Sequence, residues 1–556
     1  MSGNIQKLSV RLLKDGKTPE DSLRDGVTLE NWAQIEGAKI ALDTMGGGSP
    51  KWSKFLALSD DQKTRITNLT AYGLVFLQAS CRWFAVSFGM GHVKLDPAAF
   101  EQDFGLKVVL NSVDPKQLKS ADVRTPDENT LQRRSQTSRG SDQTAFSIDI
   151  ERDIVRGIAG VPKNTTFAVR VAGSDALSMD RKMELGDLVQ ACTDALAMYQ
   201  KADYKQDFAW IDQIKHEREK DVIEKLENAL IAEMDAVLKG TASDAISLAF
   251  PIIYDPEKTN YLRFKGFRSL VDWPDLTFTN YLEALKERAK TDFTRDDFDK
   301  HTVHEVDDQG KDCGSKWKIK DCLVYETTLD KRTYVLSAGR WYCIDKNLAD
   351  EVQKFFEAMH KFSMPAAQAG DNEEIYNARL KANEPDYLCL DRKLVRPTGA
   401  SSPIEMCDFL TADKAVIHVK DKTSSSRLSH LFNQGTVSAR VLILDGAARK
   451  KTREKVALVE AETKQTGFVD VIADEGQEFV PADFTIVFAV LAIGDTPKLP
   501  FFSLVTLRQA ANDLKALGYK CSFAWIEKPP SPGKKATKKK GGTADAGDSE
   551  AGAEAA

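Results

Sequence analysis

The chain has 556 residues, of which 42% are hydrophobic and 29% charged, and a formal net charge of −6. That length exceeds one compact domain and the composition can bury real cores, so a disordered, fibrous or strongly cationic protein is excluded. Any grip on nucleic acid must come from local basic patches within an acidic whole.

Up to Gly173, the stretches LSVRLL, KIALDT, YGLVFLQ, CRWFAVSFG, LKVVLNSV and FAVRVAG read as strands, with a short helix at PAAFEQDF. They predict a mixed α+β N-terminal domain over 1–180. From Met183 to Lys239, MELGDLVQACTDALAMYQ and KDVIEKLENALIAEMDAVLKG carry apolar residues at i, i+3, i+4 and i+7, which predicts helices. With the strands ISLAFPIIY and NYLRFKGF they form a helical segment over 181–300. The charged stretch Lys286–Gly314 reads as a linker or long loop. A small β-rich connector, 301–370, follows and ends on the helix ADEVQKFFEAMHKF.

Residues 371–527 read as one α/β unit. The order is helix EEIYNARLKA, strands YLCLDRKLV, PIEMCDFLT and AVIHVKD, and helix SRLSHLFNQGTVSARVL. After an interruption at RKKTREK come strand DFTIVFAVLA, helix LVTLRQAANDLKALGY and strand CSFAWIE. Residues 528–556 mix proline, a lysine run and Ala/Gly/Asp/Glu, a composition that buries no apolar surface and predicts a disordered tail. The fold class expected is α/β, with a mixed α+β N-terminal region.

The eight cysteines include no C-x2-C pair, which argues against zinc fingers and a disulfide framework. The N-terminus lacks a signal-peptide profile, and apolar runs such as TIVFAVLAIG are about half the length of a membrane-spanning helix. A cytoplasmic protein without membrane contact is the expectation. Glycine-rich MGGGSPKW and GMGH lack the spacing of a phosphate-binding loop, so nucleotide hydrolysis is not expected. No G-x-S-x-G occurs, and no cysteine has an activating context.

The stretch from Asp386 to Asp421 carries the chemistry. Asp408 sits near the end of one apolar strand, and ten residues later the next strand ends in His418-Val419-Lys420. Period-two alternation puts His418 and Lys420 on one face, close to Asp408 if the two strands form a hairpin. An acid and a second metal-capable group can hold a divalent ion that activates water, while a lysine steadies the phosphorane.

This order, helix–strand–strand(D)–strand(x-x-K)–helix–strand, resembles the PD-(D/E)XK nuclease superfamily, the fold of many restriction endonucleases. The resemblance implies a restriction-endonuclease-like C-terminal sheet. Asp408 would be the motif acid and Lys420 the motif lysine, with Glu374 on the preceding helix as upstream carboxylate and Gln434 on the following helix as an accessory group. It also implies Mg2+ or Mn2+ held by Asp408, His418 and Glu374. The departure is His418, where the superfamily has Glu or Asp; imidazole suits Mn2+ better than hard Mg2+. Two alternatives stay open. Glu405 points to the opposite face of an unbroken strand unless a bulge re-aims it, and Asp391-Arg392-Lys393 offers a competing D-x-K.

Along nearly its full length the chain also resembles an uncharacterised, sporadically distributed bacterial family, on LNSVDPKQLKSADVRT, QRRSQTSRGS, VAGSDAL, LSAGRWYCID, IHVKDKTSSSRLSHLFNQGTVSA and LPFFSLVTLRQAANDLKALGY. Patchy distribution implies horizontal spread and a defence role against phage or plasmid. The implied function is a metal-dependent nuclease; the alternative is a non-catalytic nucleic-acid or partner-binding sensor on a degenerate nuclease scaffold. The expected partner is nucleic acid, DNA favoured over RNA, with a co-encoded defence protein and self-association left open. Arg133, Arg134 and Arg139 in the loop QRRSQTSRGS are candidate phosphate contacts, as are Ser425 and Arg427 at the start of the helix after Lys420.

Overall fold

The computed structural model describes residues 4–46, 56, 59–65, 69–126, 130–241, 243, 245–252, 261–267, 271–287, 292–307, 311–422, 425–494 and 497–529. The fold is mixed α+β, and the chain divides into two compact units. One comprises Met1–Ala358, Thr423–Ser429 and Leu499–Gln509; the other comprises Met359–Lys422, His430–Lys498 and Ala510–Ala556.

The larger unit is built on a ten-stranded sheet in which every pairing is antiparallel. The N-terminal strand Ile5–Leu12 lies between Arg82–Gly89 and Leu177–Lys182, so distant parts of the sequence close one sheet. Two smaller antiparallel sheets, of five and four strands, complete the unit.

LKVVLNSV is not a strand: Phe104–Ser112 is a helix, buried on nearly every side. A short apolar run carries no period that separates a core helix from a core strand. What selects the helix is the surface beneath it. A Cβ on Gly105 would stand 2.0 Å from the Ala176 carbonyl oxygen, and one on Gly173 equally close to the Gly105 oxygen. The helix backbone therefore lies directly on the sheet, an approach that only glycine permits. Gly105→Ala is expected to destabilise the larger unit by about 3 kcal/mol, as overpacking against backbone does. Urea unfolding checks this, and an unchanged midpoint would contradict it. PAAFEQDF likewise forms only a short 3-10 turn at Pro97–Ala99. Within the expected linker, the described residues include helix Arg295–Lys300 and paired strands Thr302–Val306 and Asp312–Lys318.

In the smaller unit, helix α1 (Glu373–Asn383) precedes strand β1 (Tyr387–Cys389). Strands β2 (Leu394–Val395) and β3 (Ile404–Glu405) pair as a separate ribbon. Next come β4 (Phe409–Thr411) and β5 (Ala415–Asp421), then helices α2 (Ser425–Leu444) and α3 (Gly446–Thr463). Strand β6 (Thr485–Ile493), helix α4 (Phe501–Ala516) and strand β7 (Lys520–Lys528) follow. The sheet order is β1-β4-β5-β6-β7, antiparallel from β1 to β5 and parallel from β5 to β7. Parallel neighbours need long crossovers, which the helices supply. The nearly unbroken apolar run of β6 suits a strand covered on both faces.

Two expected strands are each divided. YLCLDRKLV gives β1 and β2, and PIEMCDFLT gives β3 and β4, with a change of direction between the pieces. RKKTREK does not interrupt anything; it lies inside α3. Its cations serve the fold. Buried Arg449 donates to the Leu442 and Ile443 carbonyls at 2.8 and 3.1 Å, satisfying the orphan acceptors at the end of α2, and Arg453 donates to Ile472 O at 2.8 Å. Of the expected tail, everything past Pro529 lies outside the described residues.

Candidate metal centre

The division of the two strands assembles the site. After β1, the chain turns at Leu390–Lys393, with the Lys393 N–H donating to Leu390 O at 2.9 Å and Arg392 at a left-handed φ of 61°. Leu390 N donates to Asp408 O at 2.7 Å, which brings the turn carrying Asp391 beside Asp408. The break between β3 and β4 re-aims Glu405 toward the same place. Oxygens of Asp391, Glu405 and Asp408 all lie within 4.8 Å of one another.

Asp408 is buried, 1% exposed; Asp391 and Glu405 are half-buried. Asp408 Oδ2 accepts from the Val419 N–H at 2.8 Å, and Oδ1 accepts from Asn377 Nδ2 at 3.3 Å. Glu405 accepts from the Arg392 N–H and, at 2.9 Å, from Gln434 Nε2. Burial first, then the Glu405 charge, raises the Asp408 carboxyl well above the usual carboxylate range. Burial also raises Glu405, and the Asp391 charge adds to it. The cluster is thus a dry place where negative charge is crowded, the condition a divalent cation relieves.

Lys420, at the carboxyl end of β5, ion-pairs Glu373, the first residue of α1. Its positive charge acts on both Asp408 and Glu405. Asp421 belongs elsewhere, with both oxygens 3.2 Å from Lys528 Nζ.

Of the residues expected from sequence, Asp408, Lys420 and Gln434 come together. Glu374 does not: its side chain is exposed and pairs with Arg392, at 3.2 Å. The α1 face that meets the sheet carries Glu373, Tyr376, Asn377 and Leu380, an i, i+3, i+4, i+7 pattern that Glu374 falls outside. His418 does not join either. It is fully buried, and its Nε2 lies 3.1 Å from Ser438 Oγ on α2. The expected set Asp408/His418/Glu374 is thus not brought together; among the described residues the acidic oxygens that converge are those of Asp391, Glu405 and Asp408, a donor set of the kind hard divalent cations take. Asn377 Oδ1 is buried with no hydrogen-bond partner among the described residues, on the residue whose amide nitrogen touches Asp408.

QRRSQTSRGS is not a loop but the edge strand Leu131–Ser141 of the large sheet. Arg133 ion-pairs Asp153, and Arg134 makes a two-pronged bridge to Asp122 at 2.6 and 2.7 Å, so both cations are engaged within the fold. Arg139 has no such partner among the described residues. The Ser425 and Arg427 side chains lie outside the described residues.

The structure thus defines an α+β protein with an acidic, metal-competent cluster in its smaller unit. A family model described as a family of unknown function, DUF6119, matches residues 8–527, and the chain belongs to that family. No curated protein and no solved structure matches the chain. No helix among the described residues is long and apolar enough to cross a membrane.

Proposed function

We propose that the smaller unit is a metal-dependent nuclease that cleaves phosphodiester bonds of invading phage or plasmid nucleic acid, DNA before RNA. The observation that carries this reading is the convergence of Asp391, Glu405 and Asp408 near Lys420, of which Asp408 and Lys420 are the residues that the PD-(D/E)XK resemblance singles out. Mg2+ or Mn2+, held by the three carboxylates, would supply Lewis acidity and a lowered water pKa. Asp408 is oriented by the Val419 N–H and the Asn377 amide, and Glu405 by Arg392 N and Gln434. Lys420, released from Glu373, would stabilise the charge that develops on the phosphoryl oxygens. Incubating the full chain with labelled double-stranded DNA, single-stranded DNA and RNA, with Mn2+, Mg2+ or chelator, tests the proposal. Cleavage that needs the ion supports it, and an intact substrate under every condition defeats it.

The second reading, a non-catalytic sensor on the same scaffold, draws on two observations. His418 occupies the usual acid position and faces α2, and Lys420 is held by Glu373. Metal binding that Asp408→Asn abolishes, without cleavage by the wild type, is its signature.

Because the Asp408 carboxyl is raised, holding a cation requires its proton to leave. Mn2+ is therefore expected to bind more tightly as pH rises from the ordinary carboxylate range toward the raised Asp408 value, by up to about tenfold per pH unit while Asp408 is protonated. Calorimetry in buffers of different ionisation enthalpy measures the released proton. Affinity independent of pH would show that the Asp408 carboxyl is not the ligand.

A further inference from the structure

The larger unit holds a cleft of about 400 Å3, walled by helix Phe104–Ser112, the chain from Gln200 to Arg218, and Ile154, Val155 and Tyr342. Five cations line it, Lys107, Lys201, Lys205, Lys215 and Arg218, against two carboxylates, Asp103 and Asp212. Both carboxylates are already engaged. Asp103 lies 3.1 Å from Arg340, 3.3 Å from His216 and 3.5 Å from Arg218. Asp212 accepts from the Tyr204 hydroxyl at 3.0 Å and lies 3.9 Å from Lys205.

The remaining lysines lack comparable partners. Among the described residues Lys201 reaches the largely exposed Asp203, at 3.8 Å. Among the described residues neither Lys107 nor Lys215 forms an ion pair; Lys107 Nζ sits 5.0 Å from the Tyr199 ring centroid. Burial pushes the Lys107 ammonium below its ordinary range, and the Arg218 and Lys215 charges push it further. The Arg218 and Lys215 charges thus act on Lys107 against the opposing charges of Asp212 and Asp103, in a concave site whose wall also includes Leu106, Leu110, Ile154 and Tyr204.

We infer that this cleft binds an organic phosphate of mononucleotide size, its phosphate between Lys107, Lys215 and Arg218 and its ring against the apolar wall. A phosphate adds negative charge beyond that of Asp103 and Asp212, against five lining cations, and its oxygens match ammonium and guanidinium donors. The volume falls within the usual range for small-molecule sites, and a wall mixing apolar surface with a few convergent polar groups is how such sites fix orientation. The inference uses none of the carboxylate-site residues and stands apart from the nuclease reading.

Titration calorimetry on the full chain with AMP, GMP, CMP and UMP, alongside inorganic phosphate and the four nucleosides, tests it. At least one mononucleotide is expected to bind at micromolar concentration, at least tenfold more tightly than inorganic phosphate or its own nucleoside. Lys215→Gln, at an exposed position that leaves the fold intact, and Lys107→Met should each weaken binding tenfold or more, while Lys63→Gln should not. Absence of mononucleotide binding, equal binding of inorganic phosphate, or undiminished binding in Lys215→Gln would each overturn the inference.

Discussion

Asp408→Asn is expected to lower metal-dependent cleavage by about 10^3-fold or more while leaving the smaller unit folded and, without metal, more stable than the wild type. The activity loss follows from removing the most buried of the three carboxylates, since stabilisation of charge in a dry site contributes several kcal/mol to such reactions. Folding survives because asparagine is isosteric. Its side-chain oxygen can still accept from the Val419 N–H, which holds Asp408 at 2.8 Å. The stability gain has a definite sign. Asp408 has a raised carboxyl, so its contribution is lost as pH rises above the ordinary carboxylate value and through the folded one. A neutral amide removes that penalty. A thermal scan of the metal-free protein at pH 8 should show the variant unfolding at higher temperature, and added Mn2+ should raise the midpoint of the wild type only. Full cleavage by Asp408→Asn would end the nuclease reading.

Companion variants separate the residues that the structure assembles from those that it leaves out. Lys420→Ala should reduce cleavage about a hundredfold, as loss of one charge-stabilising donor does. Glu374→Gln should change it less than about twofold, because an exposed ion pair with Arg392 contributes little. A large loss in Glu374→Gln would restore the upstream role that the helix phase denies it.

In the smaller unit the long elements, the helices at Glu373–Asn383, Ser425–Leu444 and Phe501–Ala516 and the strands at Ala415–Asp421, Thr485–Ile493 and Lys520–Lys528, were legible, whereas the two- and three-residue strands and the charged helix Gly446–Thr463 were not. Asp408, Lys420 and Gln434 were legible because strand ends and the following helix fix their neighbourhood. The metal set was not. It depends on Glu405 and Asp391 leaving the strand direction, and a break within PIEMCDFLT leaves no mark on an alternation pattern only nine residues long. Glu373 was missed for a related reason. In an EE doublet at a helix start, only the phase set by the inward residues Tyr376, Asn377 and Leu380 says which glutamate faces the sheet. The helix at Phe104–Ser112 escaped because its apolar run reports burial, and burial alone does not distinguish a helix on a sheet from a strand within one.

His418 gives the second large effect, on stability rather than cleavage. It sits in the middle of the sheet, with Ser438 Oγ 3.1 Å from Nε2 and, among the described residues, no hydrogen-bond partner at Nδ1. A Cβ on Gly435 would stand 3.3 Å from the imidazole and 2.5 Å from Phe488, so α2 packs closely over the ring. Burial, with Lys420 adding to it, lowers the imidazole to about 3. The folded protein therefore keeps His418 neutral where an unfolded chain, titrating near 6.5, takes up a proton. Between those values the unfolded state binds more protons, so stability falls as pH falls, approaching about 1.4 kcal/mol per pH unit. From pH 7 to pH 4 this group alone should remove about 3 kcal/mol. Asp408, whose carboxyl is raised, titrates in the opposite sense, so the effect is read as a difference between wild type and His418→Leu. The leucine variant has no proton to gain, and Ser438 keeps its bond to Gly435 O at 3.1 Å. Hydrogen exchange of the β5 and β6 amides reports opening of this unit directly. The opening free energy of the wild type should drop relative to the variant by about 3 kcal/mol on acidification. Parallel pH curves for the two proteins would mean that the imidazole takes its proton inside the folded sheet.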